Sequence, residues 1–222
     1  MATTVRSTST NTSSGTAISV SAPTGTANGD LVLVYLAGNG AITFADNNGA
    51  TPFTEDVADF QYVSDGTISL FSRRIQSGDP TTYNFTRSTS DRWTAIAVSF
   101  QNPHSSVIYD VAASTNSAGP VTTGTAVDIT TLNANSIHIA VLSNDGLNNA
   151  ITSTPAGYNV EQNSGQQRSA LTSKTIVSPS ATGAQSFSWT TLSAYGSLSF
   201  AIRDEGSAGS TESRRIFIVR NG

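Results

Sequence analysis

The chain has 222 residues, 11 basic and 15 acidic side chains, a net charge of −4 at neutral pH and no cysteine. This excludes disulfides, thiolate chemistry and cysteine-based zinc sites, and the lack of any basic stripe argues against nucleic-acid binding. Only 37% of residues are hydrophobic and 12% charged; the balance is Thr, Ser, Asn and Gly, which suits strands joined by many turns and works against helices.

Residues 2–29 are rich in Thr and Ser. Within them Gly15-Thr16-Ala17-Ile18-Ser19-Val20-Ser21 alternates, with Ala17 or Ile18 and Val20 as inward positions. Ala22-Pro23-Thr24-Gly25 turns the chain. Then comes Leu31-Val32-Leu33-Val34-Tyr35-Leu36, unbroken by any polar residue and set between Gly29-Asp30 and Gly38-Asn39-Gly40. Six apolar residues without alternation predict a central strand buried on both faces. A Gly- and Asn-rich loop leads to Thr51-Pro52, and residues 53–62 carry scattered apolar side chains. Ser64-Asp65-Gly66 is a turn signal. Residues 67–75 predict a strand anchored by Ile68, Leu70 and Phe71. Thr82-Tyr83-Asn84-Phe85-Thr86 puts Tyr83 and Phe85 on one face. Residues 93–100 put Ile96, Val98 and Phe100 on one face, and Asn102-Pro103 ends the run.

The pattern then repeats. Residues 124–130 echo 15–21, and 137–142 echo 31–36. Pro155-Ala156-Gly157-Tyr158 echoes Pro52-Phe53, and 168–176 echo 68–75, with Lys174 at the place of Arg73. Phe187-Ser188-Trp189-Thr190 echoes residues 83–86, and Leu198-Ser199-Phe200 echoes 98–100. Six motifs in one order, at an offset between 100 and 109, imply an internal duplication. The expected fold is all-β: an antiparallel β-sandwich of jelly-roll or immunoglobulin-like type, in two halves of about 100 residues. The expected boundaries are 1–104 for the first repeat, 105–204 for the second, and 205–222 for a linker with a terminal strand. Two sandwiches side by side and one interleaved sandwich both satisfy the pattern.

Residues 205–211 have the composition of a flexible linker. Ile216, Phe217, Ile218 and Val219 form a strand-forming run with no place in the repeat. An apolar strand on a tether aggregates unless it docks, on its own sheet or on a neighbouring subunit. These four residues are the first candidate partner-binding segment.

Signals for chemistry are sparse. There is no Gly-x-Ser-x-Gly elbow and no phosphate loop. His104 follows Asn102-Pro103 in a loop and reads as solvent-exposed; His138 interrupts the second central strand and reads as a structural residue on its less buried face. Asp46-Asn47-Asn48-Gly49 lacks the ligand spacing of a calcium loop and reads as a turn. Glu55, Asp56 and Asp59 cluster, with a solvated edge as the default reading. Trp93, Tyr62, Tyr158 and Tyr195 are aromatics that could stack on sugars, whereas Tyr83, Phe85, Phe187 and Trp189 repeat at strand spacing, as core residues do. Trp93 falls on the face opposite Ile96, Val98 and Phe100, and is the second candidate partner-binding residue. No residue set predicts a catalytic, cofactor or metal site, so a non-enzyme is expected. No run approaches the length of a membrane span, and Met1-Ala2-Thr3-Thr4-Val5-Arg6-Ser7 lacks an apolar signal core.

The Gly29-Asp30-Leu31-Val32-Leu33 strand, the Thr51-Pro52 loop, Tyr83-Asn84-Phe85-Thr86 and the 93–100 strand together resemble the cysteine-free β-sandwich proteins encoded among tail and capsid genes of tailed bacteriophages. The resemblance covers about residues 15–204. It implies a non-enzymatic virion protein, a capsid decoration or tail-associated sandwich, made in the host cytoplasm and released by lysis. The implied partners are other virion subunits, including copies of itself, with no nucleic acid, membrane or cofactor. A carbohydrate-binding or adhesin module on a phage or bacterial surface is the alternative, with a glycan as ligand.

Overall fold

The structure is a computed structural model and describes residues 2–63, 66–146, 149–164 and 168–206. The turn at Ser64-Asp65 and the run from Ile216 to Val219 lie outside the described residues. The described chain is built from antiparallel strands, which bears out the all-β sandwich.

The first half holds eight strands: β1 (Thr4–Ser13), β2 (Ala17–Ser21), β3 (Leu31–Asn39), β4 (Phe44–Asp46), β5 (Thr54–Tyr62), β6 (Gly66–Arg74), β7 (Thr82–Arg87) and β8 (Trp93–Gln101). They form a five-stranded sheet in the order β1-β8-β3-β6-β5 and a three-stranded sheet in the order β2-β7-β4. Strand one pairs with eight, two with seven and three with six, which are three rungs of a jelly roll. The fourth rung is replaced: β5 joins β6 instead of β4.

The second half holds β9 (Tyr109–Ala126), β10 (Ser136–Asn144), β11 (Ile151–Ser153), β12 (Asn159–Ser164), β13 (Ser169–Ile176) and β14 (Gln185–Ile202). Here β9 does the work of β1 and β2, and β14 that of β7 and β8. The two long strands pair along their whole length, with register breaks between 188 and 195 where both bend from one layer to the next. The order β9-β14-β10-β13-β12 then matches β1-β8-β3-β6-β5, so the duplication seen in the sequence is also a duplication of topology.

The halves stack with their large sheets face to face. The central core takes Leu31, Leu33 and Tyr35 of β3, Ile96, Val98 and Phe100 of β8, Ile139 and Val141 of β10, and Leu198 and Phe200 of β14. Alternate residues of the same strands turn outward: Val32, Val34 and Leu36 pack on Ile18, Val20, Tyr83 and Phe85 inside the first half. Ala140 and Leu142 pack on Phe187 and Trp189 inside the second. Both faces of β3 are therefore buried, which is why its sequence never alternates. At the flanks Thr8 Oγ1 of β1 donates to the Glu161 carbonyl of β12 at 3.0 Å, and Tyr109 Oη of β9 donates to Asp56 of β5 at 2.7 Å. First-half β1 meets second-half β12, and β5 meets β9. That crossed pairing is the signature of a twofold relation between the halves.

The strand β1 carries no apolar alternation, so periodicity does not announce it. Its outward side chains are used as a ladder instead. Ser7 and Ser9 donate to the carbonyls of Thr24 and Ser21, Asn11 to Ser19 and Ser13 to Ala17. These bonds satisfy the open edge of β2 and close one side of the first sandwich.

Candidate functional site

The structure overturns one candidate outright. Trp93 has no exposed surface; it stacks on Phe44 with ring centroids 5.6 Å apart, in the core between β3 and β7. Strand parity places it opposite Ile96 as expected, but both faces of β8 are core, so no face is left for a partner. Among the described residues no acceptor reaches its indole N–H. Tyr62 and Tyr195 are buried as well. Tyr83, Phe85, Phe187 and Trp189 are core residues, as their repetition predicts.

His138 is also placed differently from the expectation of a less buried face: its side chain has no exposed surface. It stands on β10 where the first half has Val32 on β3. Its Nε2 lies 2.8 Å from Ser199 Oγ and its Nδ1 2.5 Å from Tyr158 Oη. Lys174 lies over the Tyr158 ring, 5.4 Å from its centroid, as Arg73 lies over Phe53 in the first half. Burial lowers the His138 pKa to about 4, with Asp128 opposing and Lys174 adding to the shift. The imidazole is thus neutral at neutral pH and serves both hydroxyls. A serine within reach of a histidine has the geometry of a nucleophile and base. Ser199 is itself fully buried on a central strand, so its hydroxyl faces packed core and not a substrate. The cluster is a polar clamp across β10, β14 and the loop at Tyr158.

The other polar groups are engaged in holding turns and edges. Asp46 receives the Asn48 amide in a turn, as expected. Asp110 accepts from the backbone of Leu132 at 2.8 Å and of Asn133 at 3.2 Å. His104 is half-buried in the connector between the halves, where its Nδ1 accepts from the backbone N–H of Val107 at 3.1 Å. Among the described residues no group of three His, Asp or Glu is arranged to hold a metal ion.

The first and last described strands define the remaining site. The Thr3 backbone N–H donates to the Asp204 carboxylate, and Pro103 and Asp204 form an isolated bridge. The His104 N–H donates to the Arg203 carbonyl at 3.0 Å. The start of β1, the junction of the halves and the end of β14 therefore meet at one pole. Beside them lies a cleft of about 580 Å³ lined by Arg6, Gly29, Asp30, Arg74, Asn102 and Glu205. Asp30 is buried and takes Arg6 in a two-point pair, at 2.7 Å from Nε and 3.1 Å from the terminal nitrogen. Arg74 makes one long contact of 3.4 Å to the Gly29 carbonyl, and burial lowers its pKa while Glu205 raises it.

No protein-family model matches the chain, and no curated protein matches it. Among solved structures, one from Eubacterium rectale, described as a secreted protein, is 11% identical over 86% of this chain and 70% of its own, with a TM-score of 0.22. A likeness that low carries no argument.

Proposed function

We propose that the protein is a non-enzymatic structural protein of a phage virion, a capsid decoration or tail-associated sandwich. It binds neighbouring subunits through sheet edges and terminal arms. The observation that carries this reading is the meeting of Thr3 and Asp204 at one pole of a doubled sandwich. The start of β1 and the last described residues, up to Gly206, lie at the same pole of the body. That arrangement suits a subunit tied to its neighbours at a fixed spot. A surface rich in Thr, Ser and Asn and poor in charge supports dense static packing, and the family likeness supports a virion setting.

The test is a density gradient of particles from cells carrying the gene within its phage. The protein should band with capsids or tails at a fixed number per particle. Recovery in the free fraction alone would overturn the proposal.

A further inference from the structure

Strand β5 is the outer strand of its sheet and pairs only with β6. Its free edge is guarded. The ladder is broken between Glu55 and Val57 and again before Phe60, and Asp59 has a φ of +40°. Three carboxylates, Glu55, Asp56 and Asp59, belong to it; Asp56 accepts from the Tyr109 hydroxyl and Asp59 from the Phe44 N–H at 2.8 Å and the Ser69 hydroxyl at 3.2 Å, and none is in an ion pair among the described residues. Burial and the neighbouring Asp59 charge hold the Glu55 carboxyl above its ordinary range. Burial does the same to Asp56, against the pull of the Tyr109 hydroxyl. Such an edge repels a second copy of itself and admits a strand that brings positive charge.

The sequence contains a segment of that charge. Arg214-Arg215-Ile216-Phe217-Ile218-Val219-Arg220 places three arginines around four apolar residues. It lies outside the described residues, and the described chain up to Gly206 gives the point it starts from. Ile202, the last residue of β14, is in register with Tyr109, whose hydroxyl binds Asp56. Glu205 shares a cleft with Arg74, two residues beyond Ser72, the register partner of Thr54. Both relations put the root at the Thr54 end of β5. Ten residues from Gly206 to Ile216 reach ~35 Å when extended, and a nine-residue strand is ~30 Å long. The segment is long enough to lie along such an edge. With its root at one end of the edge, two copies related by a twofold axis can exchange segments reciprocally.

We propose that the β5 edge of one copy receives segment 214–220 of a second copy as an added strand, with the arginines set against Glu55, Asp56 and Asp59. This rests on the arm-linked reading above and names the edge and its occupant.

The experiment is light-scattering mass of the purified full chain and three variants. The full chain should be a defined oligomer that weakens with salt, and a chain ending at Asp204 should be monomeric. Thr54→Lys, Glu55→Lys and Ala58→Lys together, all at exposed positions, give an edge of net charge +1 facing a basic segment; Arg214→Glu with Arg215→Glu gives a segment of net charge −1 facing an acidic edge. Each alone should fall to the 23.0 kDa monomer. Mixed one to one, each edge meets an opposite segment and the oligomer should return. The second variant leaves every described residue unchanged, so its loss of mass is not a folding defect. If the truncated chain is monomeric but both charge variants keep the full mass, this edge is wrong and the arm reading stands. If the full chain is itself a monomer, or if the mixture stays monomeric, the exchange is overturned.

Discussion

His138 Nε2 lies 2.8 Å from Ser199 Oγ at a depth where the first half of the molecule has Val32, a residue with no polar atom on its side chain. The second sandwich thus carries an imidazole where the first has an aliphatic side chain. Its folded pKa, about 4, is below the unfolded value near 6.5. Between those values the unfolded chain binds a proton that the folded chain does not, so stability falls as pH drops from 6.5 towards 4 and levels off below. The whole effect is about 3 kcal/mol at 1.36 kcal/mol per unit. Glu55 and Asp56, raised by burial, work in the opposite sense as pH falls. The difference between wild type and His138→Val isolates the histidine. Urea midpoints should drop in the wild type across this window and change less in the variant; parallel curves would show that His138 is not the group that titrates.

Trp93→Ala should cost about 3–5 kcal/mol, the range for emptying a buried aromatic site. The indole fills space against Phe44, below Gly38, where an added Cβ would meet the Phe44 ring at 3.1 Å. Urea unfolding reads the loss directly. A variant as stable as wild type would return Trp93 to the surface and to the list of sugar-stacking residues.

The ladder from β1 to β2 predicts aggregation more than instability. Each hydroxyl or amide removed is worth about 1 kcal/mol net. Replacing Ser7, Ser9, Asn11 and Ser13 together by Ala leaves the β2 carbonyls of Ala17, Ser19 and Ser21, and that of Thr24 beyond them, without these donors, an edge open to other chains. Turbidity on mild heating should rise well before the melting transition. A quadruple variant as clear as wild type would mean that water satisfies that edge equally well.

How much of this was legible depends on which side of a strand faces core. The run Leu31 to Leu36 declared two buried faces, and the repeat at 137–142 declared a second copy. The same logic applied to 93–100 should have removed Trp93 from the surface, since a strand buried on both faces has no outward side. The strand β1 left no apolar signal because its alternate residues bond carbonyls. The partners of His138, Ser199 and Tyr158, are distant in sequence and no spacing links them. Aligning the halves does flag it, as a polar residue opposite Val32. The strand expected at 216–219 lies outside the described residues.

Gly196 joins the two halves and gives the sharpest test of their stacking. A Cβ there would lie 2.5 Å from Tyr62 Cδ1 and 3.1 Å from its Cβ, so the contact is with the root of the ring and not with a flexible tip. Tyr62 belongs to the first half and is fully buried in the shared core. Gly196→Ala should therefore cost about 1–3 kcal/mol through overpacking. It should do so without splitting the transition, because Leu33, Tyr35, Val141 and Phe200 belong to one core and the halves unfold together. In a double-mutant cycle with Tyr62→Ala, the alanine at 196 should cost less than in the wild-type background. Calorimetry showing two separate transitions, or additive costs in the cycle, would mean that the large sheets do not share this core.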